Sequence, residues 1–520
     1  MAPKQPWPFI EARQIVDRVL RRDPAPDEIV FETGFGPSGL PHVGTFSEVA
    51  RTDFVRRAFT ELSDLPSRLI TFSDDLDGLR KVPLNVPQRE MLAGHLGRPL
   101  SSIPDPFGEQ ESYSGFMNAK LEEFLAAFGF EHEFRSATQC YRSGLFDEGL
   151  SRVLHHADDI AKILVPTLGE ERRRNWTPFF PICEQCGRVY TTEVTAMHPA
   201  KDTLEYACTG SFEGVEGCGH RAETQVTGGR VKVGWKIDWA LRWFSLGVHY
   251  EMYGKDLIES ANASKRIVKV LGGRPPVGLF YEMFLDEGGQ KISKKVGKGV
   301  TVDTWIRFAP VESLLLFMYN NPRKAKRLHY EVIPQGVDEL LGHLRGYPDK
   351  ADDERRWSPL WYFQDGDPPA YRSPLDYSTI RNLVACMGTD DPEAVKATLR
   401  RYDLDLDRDG ETMDGLIRGA IAFDQELVAP TRTLHVPDES EASLLSELAD
   451  RLVTVDDDAD AQQSLVFDLA REHDMKPGQL FQLIYGSLLG QPRGPRFGTF
   501  VQVLGREEMA LALHEAAARS

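Results

Sequence analysis

Two short segments carry residue types that could bind a nucleoside triphosphate from opposite sides. The first, Pro37-Ser38-Gly39-Leu40-Pro41-His42-Val43-Gly44, follows an apolar run and opens a stretch with helical spacing. The second, Lys291-Ile292-Ser293-Lys294-Lys295, lies in a loop flanked by glycines. Either segment alone is a weak signal, but their order and context together indicate a phosphate-binding site.

The first segment has the composition of a phosphate-binding turn. A glycine-rich turn at a helix N-terminus exposes backbone N–H groups and carries about half a positive charge. Gly36 and Gly39 let the backbone approach a phosphate, and Pro37 stiffens the turn. His42 could donate to a phosphate oxygen, and Gly44 leaves room for adenine or ribose. The alternative is that His42 only caps the helix.

The second segment has the composition of a mobile basic loop. Lys291 and Lys294 could close over a triphosphate and neutralise the charge that develops on leaving pyrophosphate. Alone, the same residues could form a solvated basic loop. The two segments together favour a nucleotide site with His42, Lys291 and Lys294 as its catalytic residues.

The elements around the first segment predict a nucleotide-binding fold. Glu28–Thr33 reads as a buried strand, His42–Leu62 has helical spacing, and Arg68–Phe72 is a second apolar run. Strand, turn, helix and strand in this order open a Rossmann-like, doubly wound parallel sheet of the α/β class. Residues 172–230 interrupt the pattern with cysteines and glycines, and we interpret them as an insertion.

Four of the six cysteines fall within this insertion and predict a metal site. The Cys183–Cys186 spacing lets two thiolates face one ion, and Cys208 and Cys218 would complete a tetrahedron. His220 could replace Cys218. Nine residues separate the second pair, which is long for such a ribbon. We expect structural Zn²⁺, with a metal-free insertion as the alternative.

Residues beyond Tyr330 have a different pattern from those before. Helical spacing dominates and strand signals are few. The sequence therefore predicts two domains, 1–330 with the α/β sheet and 331–520 entirely helical. The predicted helices of the second domain are Gly336–Leu344, Tyr377–Met387, Glu411–Phe423, Ala442–Val453, Ala461–Glu472 and Gly478–Leu489.

The composition of the 520-residue chain is that of an ordinary globular protein, with 41% hydrophobic and 27% charged residues. No apolar stretch is long enough to span a membrane, and the N-terminus lacks the apolar core of a signal peptide. We therefore expect a cytoplasmic protein without membrane contact. A net charge of −18 argues against non-specific polyanion binding but leaves local basic stripes able to bind nucleic acid.

The two phosphate-binding segments resemble the HIGH and KMSKS motifs of class I aminoacyl-tRNA synthetases. Further segments narrow the resemblance to class I lysyl-tRNA synthetases, the type found in archaea and some bacteria. They are Glu32–Gly39, Phe72–Asp77 with Arg80–Pro83, Trp235–Trp239 and Gly254-Lys255-Asp256. The resemblance runs from about residue 28 to 330, and Gly494–Gly498 near the end is also similar to that family.

The resemblance implies the substrates and the reaction. L-lysine would attack the α-phosphate of ATP, with Mg²⁺ held mainly by the phosphates, and lysyl-adenylate would then acylate tRNA(Lys). Two positions depart from the family pattern: Thr45 stands where HIGH has histidine or asparagine, and Leu257 where histidine is frequent. The implied ATP-binding residues are Pro37, Gly39, His42, Gly44, Thr45, Lys291, Ser293 and Lys294.

A lysine substrate requires a carboxylate for its ε-ammonium group and aromatic walls for its stem. Glu32, on the first predicted strand, is the expected carboxylate, because related glutamate-activating enzymes carry an arginine at a similar position. The other expected amino-acid-binding residues are Thr33, Gly34, Asp75, Trp235 and Asp238. The alternative is that the acidic residues face water and the tryptophans fill a core.

The helical domain would form a helical cage that reads the anticodon of tRNA(Lys). The basic run Arg323–Arg327 could contact tRNA phosphates or be a solvated surface. We expect a monomer. Two alternative functions remain: a class I synthetase for another amino acid, and a synthetase-derived RNA-binding protein without catalysis. Glu32 argues against glutamate as the substrate, and the retained His42, Lys291 and Lys294 argue against loss of catalysis.

Overall fold

The computed structural model describes residues 5–84, 86–170, 173, 176–290, 300–363, 366–403 and 405–519. The chain packs into two compact units. The first comprises the described residues of Met1–Gly299 and Met318–Leu328, and the second those of Val300–Phe317 and His329–Ser520. Among the described residues, none of the helices is both long enough and apolar enough to cross a bilayer.

A four-stranded parallel sheet forms the centre of the first unit. Its strands lie in the spatial order Tyr250–Glu251, Ile29–Phe35, Ser67–Ser73 and Glu133–Ser136. The chain thus builds the sheet outward from Ile29–Phe35, called the first strand below, and later returns to add a strand on its other side. Ligands of open parallel sheets bind outside the carboxyl ends of strands at such a reversal. The reversal here lies between the first strand and Tyr250–Glu251.

The first strand is covered on both faces. Phe31 packs against Phe59 of helix Val43–Thr60, with ring centres 6.2 Å apart. Glu32 points to the opposite face, because side chains alternate along a strand, and contacts helix Trp235–Ser245. Such strands must be almost continuously apolar, and six of its seven residues are buried. This arrangement confirms the predicted doubly wound α/β fold.

The first unit contains further helices and short strands. Its helices are Trp7–Arg18, Val43–Thr60, Arg89–Ala93, Tyr113–Ala127, Ala137–Arg142, Asp147–His155, Ala157–Leu164, Trp235–Ser245 and Ile258–Val270. Its strands outside the central sheet are Phe179–Pro181, Glu193–His198, Thr203–Ala207, Ser211–Phe212, Val215–Glu216, Arg221–Gln225, Val231–Val233, Tyr253–Gly254, Phe280–Tyr281, Phe284–Leu285 and Lys326–Arg327.

The cysteine-rich insertion forms an antiparallel substructure that shares the hydrophobic core of the first unit. Strands Phe179–Pro181 and Val231–Val233 pair with each other where the insertion leaves and rejoins the unit. Between them, Thr203–Ala207 lies in the middle of a three-stranded sheet. Pairing of its two ends explains how residues 172–230 interrupt the parallel fold without disrupting the central sheet.

The regular elements among the described residues of the second unit are all helices. Its helices are Val302–Phe308, Val311–Tyr319 (which continues into the first unit), Val332–Gly346, Asp352–Arg355, Tyr377–Met387, Pro392–Leu399, Gly410–Phe423, Glu439–Leu452, Ala459–Glu472, Pro477–Leu489, Phe497–Leu504 and Arg506–Ala517. All six predicted helices are present, and Tyr377–Met387 has the predicted bounds. The predicted all-helical C-terminal region is confirmed.

The compact units do not coincide with the predicted division at residue 330, because residues 300–317 pack with the second unit. Phe308 meets Phe423 edge-on at 5.4 Å between ring centres, and the Tyr377 hydroxyl donates to the Phe308 carbonyl. These contacts bury helix Val302–Phe308 among later helices. The predicted boundary at residue 330 between a catalytic and an anticodon-reading domain stays a prediction.

Candidate active site

The turn after the first strand leads into helix Val43–Thr60. His42 is the N-cap of this helix, and its Nδ1 accepts the backbone N–H of Thr45 at 3.3 Å. A neutral imidazole that accepts at Nδ1 carries its proton on Nε2. The capping bond therefore orients the ring and makes Nε2 a donor, so the capping role and the predicted phosphate-binding role of His42 are compatible.

The glycines of this turn have two different explanations. A Cβ on Gly44 would lie 2.7 Å from Cε1 of His42, so glycine is needed for the histidine ring itself. A Cβ on Gly36 or Gly39 would meet no atom within 4 Å. The described protein atoms do not demand glycine at these two positions, and the open space beside the backbone suits a phosphate. Pro37 is buried.

The second predicted phosphate-binding segment, with Lys291, Ser293 and Lys294, lies outside the described residues. The turn leading into it is well formed. Oδ1 of Asp286 accepts the N–H of Gln290 at 2.8 Å, and Gly289 has a φ of 81°, a conformation that favours glycine. The catalytic and ATP-binding roles of the three residues stay predictions.

Three carboxylates surround one guanidinium group at the reversal point of the central sheet. Glu32 and Glu251 are direct neighbours on adjacent strands. Arg242, from helix Trp235–Ser245, lies with Nε 3.2 Å from Oε1 of Glu32 and Nη1 3.3 Å from Oδ1 of Asp74. We call Glu32, Asp74, Glu251 and Arg242 the acidic cluster. It carries more negative than positive charge when its carboxylates are ionised.

Burial makes this negative charge unfavourable. It raises the pKa of Glu32 well above its usual value, and the neighbouring Glu251 raises that pKa further. Burial also raises the pKa of Asp74 and of Glu251 to about 7, against the opposing charge of Arg242. A second cation near these groups would favour their ionised forms. The cluster is thus suited to binding a positively charged ligand group.

Glu32 differs from its partners in its hydrogen bonding. Its side chain is fully buried, and neither carboxylate oxygen accepts a hydrogen bond from the described residues. The contact with Arg242 lacks hydrogen-bond alignment. Glu251, by contrast, accepts the indole N–H groups of Trp239, at 2.8 Å, and Trp243. A buried acceptor without a donor costs about 1–3 kcal/mol, so Glu32 has unused capacity for a ligand's N–H.

The tryptophans four residues apart on helix Trp235–Ser245 form one aromatic face. Trp235 is 41% exposed and stacks on buried Trp239, with ring centres 5.5 Å apart and planes at 22°. Trp239 is also 5.1 Å from Trp243. The face runs from an exposed ring to the carboxylate of Glu251. This geometry agrees with the predicted aromatic wall, and Trp235 is its exposed end.

Asp238 and Asp75 are already engaged within the protein. Asp238 accepts the hydroxyl proton of Tyr141 and lies 3.6 Å from Nζ of Lys232. Asp75 accepts the Oγ proton of Ser136 at 2.5 Å and the N–H of Thr138 at 2.7 Å. Both carboxylates therefore stabilise the protein itself. Their predicted amino-acid contacts stay predictions, and the geometry gives them no support.

Glu48 links the end of the first strand to a distant strand. Its Oε1 accepts the N–H of Gly34 at 3.1 Å, and its Oε2 accepts the hydroxyl proton of Tyr281. Burial raises the pKa of Glu48 while the Tyr281 bond opposes the rise. Gly34 is thus fixed beside Arg242, whose Nη1 would lie 3.7 Å from a Cβ there. Thr33 is buried, and its amino-acid contact stays a prediction.

The four cysteines of the insertion converge. Their Sγ atoms all lie within 4.8 Å of one another, with Cys183 and Cys218 at 3.6 Å and Cys186 and Cys208 at 3.7 Å. A tetrahedron with Zn–S bonds of about 2.3 Å has sulfur–sulfur edges of about 3.8 Å. The sulfur atoms therefore fit a tetrahedral Zn²⁺ site. Cys218, rather than the alternative His220, belongs to this group.

The long gap between the second pair of cysteines contains a hairpin. Strands Ser211–Phe212 and Val215–Glu216 pair around a turn in which Glu213 and Gly214 both have positive φ values, 49° and 79°. The hairpin returns the chain so that Cys208 and Cys218 meet. The unusual spacing is therefore compatible with a four-cysteine site.

Four residues of the site were not predicted from the sequence: Arg242, Glu251, Glu48 and Tyr281. Two of them had a detectable signal. Arg242 lies one helical turn after Asp238 in a stretch with tryptophans at helical spacing. Glu251 is a lone carboxylate within Val-His-Tyr-Glu-Met-Tyr, as Glu32 is within its own strand. Nothing in the sequence indicates that Glu48 and Tyr281 meet.

The doubly wound parallel sheet, with a glycine-containing turn before helix Val43–Thr60 and the acidic cluster at its reversal point, defines an α/β domain of the Rossmann-like class. Residues 5–366 match the family described as tRNA synthetases class I (K), and residues 411–517 match the family described as anticodon binding domain. The chain belongs to the class I tRNA synthetases (K).

Full-length relatives agree with this family. A protein named lysine–tRNA ligase from Rickettsia felis is 41% identical over 96% of this chain and 95% of its own length. One of the same name from Rickettsia bellii is 40% identical over 98% of this chain and 97% of its own length. A solved glutamate tRNA ligase from Elizabethkingia meningosepticum covers 94% of this chain and 99% of its own at 12% identity, with a TM-score of 0.37, too weak a likeness to bear on the site.

Proposed function

We propose that this protein is a lysine–tRNA ligase, which activates L-lysine with ATP and transfers it to tRNA(Lys). Two independent observations support the proposal. Relatives named lysine–tRNA ligase are 41% identical over nearly the whole chain. The acidic cluster, in addition, lies where a parallel sheet of this order binds its ligand.

The choice of lysine as the substrate depends on the burial and the missing hydrogen bonds of Glu32. This buried carboxylate lacks a hydrogen-bond donor and lies beside two further carboxylates that share one arginine. An ε-ammonium group supplies both a positive charge and three N–H donors. Glu32 would accept one of them, and the apolar stem of lysine would lie along the face of Trp235 and Trp239. A substrate with a negative side chain would instead add to the repulsion.

ATP would bind at the turn before helix Val43–Thr60. The N–H of Gly39 and the N-terminus of the helix would face the phosphates, while Nε2 of His42 donates to one of their oxygens. Lys291 and Lys294 would neutralise the leaving pyrophosphate, with Ser293 as a further phosphate donor. Mg²⁺ would be held mainly by triphosphate oxygens. Neither reaction step requires a protein nucleophile, since positioning and charge stabilisation suffice.

Structural Zn²⁺ would occupy the site formed by Cys183, Cys186, Cys208 and Cys218. Four thiolates complete its coordination, so no position remains for an activated water molecule. The ion would fix the hairpin-containing end of the insertion. Its role is thus stabilisation of the fold rather than catalysis.

The helical region that matches the anticodon binding domain would recognise tRNA(Lys). The basic run Arg323–Arg327 would add phosphate contacts. Arg323 is 65% exposed at its side chain and lies 3.8 Å from Glu11, so it remains accessible to a polyanion. A cytoplasmic location and a monomeric state stay predictions.

The proposal is tested by amino-acid-dependent exchange between ATP and pyrophosphate. The purified chain is assayed with each of the twenty amino acids, with and without added tRNA. We expect lysine to be the only one of the twenty amino acids that supports exchange. Exchange supported by a different amino acid would show that the site activates that amino acid instead of lysine. No exchange under either condition would favour an RNA-binding protein without catalysis.

A further inference from the structure

A buried lysine lies between the cysteine-rich insertion and the acidic cluster. Lys232 is on strand Val231–Val233, where the insertion rejoins the first unit, and its side chain is 4% exposed. A buried ammonium group is unfavourable unless acidic groups balance it. Burial would lower the pKa of Lys232, but the charges of Asp238 and Asp77 outweigh it and raise that pKa well above its usual value. Lys232 is therefore a fixed positive charge inside the unit.

The two carboxylates that balance Lys232 come from different elements. Nζ of Lys232 lies 2.8 Å from Oδ1 of Asp77, in the loop after strand Ser67–Ser73. It also lies 3.6 Å from Oδ1 of Asp238, in the first turn of helix Trp235–Ser245. One ammonium group therefore joins this loop to this helix.

The loop that contains Asp77 also carries one member of the acidic cluster. The N–H of Asp77 donates to the carbonyl of Asp74 at 3.1 Å, so the two residues belong to one turn, called the Asp74 turn below. Oδ1 of Asp74 lies 3.3 Å from Nη1 of Arg242 on the same helix. The turn and the helix thus meet twice, through Lys232 and through Arg242. The first contact limits how far the second can move.

The start of the helix is fixed to the end of the insertion. The N–H of Gly234 donates to the carbonyl of Pro178 at 3.0 Å, which closes the insertion one residue before the helix begins. Asp238 accepts the hydroxyl proton of Tyr141. Trp235, the exposed end of the aromatic face, lies between these two contacts in the chain. The position of the proposed pocket wall therefore depends on the same junction.

The insertion also contacts the loop that follows the Asp74 turn. Nε of Arg80 donates to the Tyr190 hydroxyl at 3.3 Å, and the guanidinium carbon lies 5.2 Å from the centre of that ring. A Cβ on Gly78 would lie 2.6 Å from Cε2 of Tyr190, so the ring packs directly on the loop. The insertion thus holds this loop from both ends, through Tyr190 and through Lys232.

We infer that Lys232 is a positioning residue of the amino-acid pocket, through which the insertion holds the Asp74 turn against helix Trp235–Ser245. This inference rests on the proposed function, because lysine is the ligand whose binding it affects. The alternative is that Lys232 only balances two buried carboxylates. A merely structural lysine would change stability without a selective effect on lysine binding.

The test measures KM for lysine and KM for ATP separately by pyrophosphate exchange. Asp77→Ala removes the contact between the turn and Lys232, and Asp77 is 31% exposed, so the protein should still fold. Lys232→Met removes the cation, and Lys232→Arg keeps it. We expect KM for lysine to rise about tenfold or more in Asp77→Ala and Lys232→Met, with KM for ATP within about threefold. Lys232→Arg should recover part of the loss.

The pH dependence of lysine binding gives a second readout. Burial raises the pKa of Asp74 to about 7, against the charge of Arg242. Asp238 and Asp77 raise this pKa further, and Lys232 lowers it. Because ionised Asp74 favours a bound ammonium group, affinity falls as the pH drops through this pKa. The midpoint of that fall should move to higher pH in Lys232→Met and to lower pH in Asp77→Ala.

An exposed lysine–aspartate pair of equal length provides the control. Nζ of Lys162 lies 2.8 Å from Oδ1 of Asp159, and the Lys162 side chain is 76% exposed. Lys162→Met should change neither KM nor the pH midpoint.

Three results would overturn the inference: a rise below about threefold in KM for lysine, an equal rise in both KM values, or pH midpoints that move in the same direction. If Lys232→Met does not fold, Asp77→Ala decides alone, and a midpoint that is unchanged or moves to higher pH refutes the inference. Absent exchange in the wild type refutes the ligase activity, and the inference falls with it. An active wild type with unchanged KM values in the variants refutes only the positioning role.

Discussion

Replacing Glu32 by glutamine separates a substrate-binding carboxylate from a structural one. Glutamine keeps the size of the side chain and removes its charge. If Glu32 holds the ε-ammonium group of lysine, the change breaks a buried ion pair on one side, which costs about 3 kcal/mol. Because about 1.4 kcal/mol corresponds to a factor of ten, kcat/KM for lysine should fall roughly 10²-fold.

The free protein should respond in the opposite direction. Glu32 shares Arg242 with Asp74 and adjoins Glu251, and burial raises the pKa of all three carboxylates. Removing one charge relieves repulsion, and Arg242 keeps Asp74 as a partner. The melting temperature of Glu32→Gln without ligands should therefore equal or exceed that of the wild type. Loss of activity with unchanged or higher stability is typical of a residue selected for binding.

The assay is steady-state pyrophosphate exchange with lysine and ATP varied separately, together with thermal unfolding of the free protein. KM for ATP should stay within about threefold of the wild type, since the turn at which ATP is proposed to bind is untouched. Glu28→Gln is the matched control. Glu28 lies just before the same strand, is 45% exposed at its side chain and pairs with Arg68 at 3.2 Å. Removing this charge should alter neither lysine kinetics nor stability measurably.

The opposite pattern would refute the reasoning. A melting temperature several degrees below that of the wild type, with an unchanged KM for lysine, would make Glu32 a structural partner of Arg242. The substrate cation would then be held elsewhere, even though the family assignment would stand.

Four further predictions follow from the same site and its surroundings. Lys294→Ala should lower the activation rate about 10²–10³-fold in single-turnover measurements, and a change below about fivefold would remove the loop from the chemistry. Tyr281→Phe leaves half-buried Glu48 without its hydroxyl donor and should lower the free energy of unfolding in urea by about 1–2 kcal/mol. Lysine binding should release protons near pH 6.5, because an ammonium group lowers the pKa of Asp74 and Glu251 from about 7. The affinity for lysine should therefore rise from pH 5.5 to 7.5. Calorimetry in two buffers of different ionisation enthalpy measures the number of protons released. Elemental analysis should find about one zinc per chain, and Cys186→Ser should lose the metal and lower the melting temperature.

The local fold was predictable where the apolar residues of a segment recur at a single spacing. Helix Tyr377–Met387 has the predicted bounds because its apolar residues recur at helical spacing without interruption. The first strand was found for the same reason, from a short apolar run before a glycine turn. The boundaries of the compact units were not predictable, because helix Val302–Phe308 contacts Phe423 and Tyr377, which are far away in the chain.

The candidate site was predictable in its residue types rather than in its contacts. The spacing of the cysteines predicted four thiol ligands. The hairpin that brings Cys208 to Cys218 was not predicted and is seen only in the structure. Gly44 was predicted to make room for adenine or ribose, and this role stays a prediction; the structure adds that a Cβ there would meet the ring of His42. A sequence motif specifies which groups are present, not what fills the space between them.

The sequence by itself determined the glycine-containing turn, the helix that it opens and the presence of a lone carboxylate at residue 32, since each depends on neighbours within a few residues. Only the tertiary structure decided what surrounds that carboxylate. Glu251 and Arg242 reach Glu32 because a strand over two hundred residues later pairs beside it and a helix covers that face. Burial and nearby charge, which set the pKa and the ligand preference of Glu32, exist only once those distant segments have met.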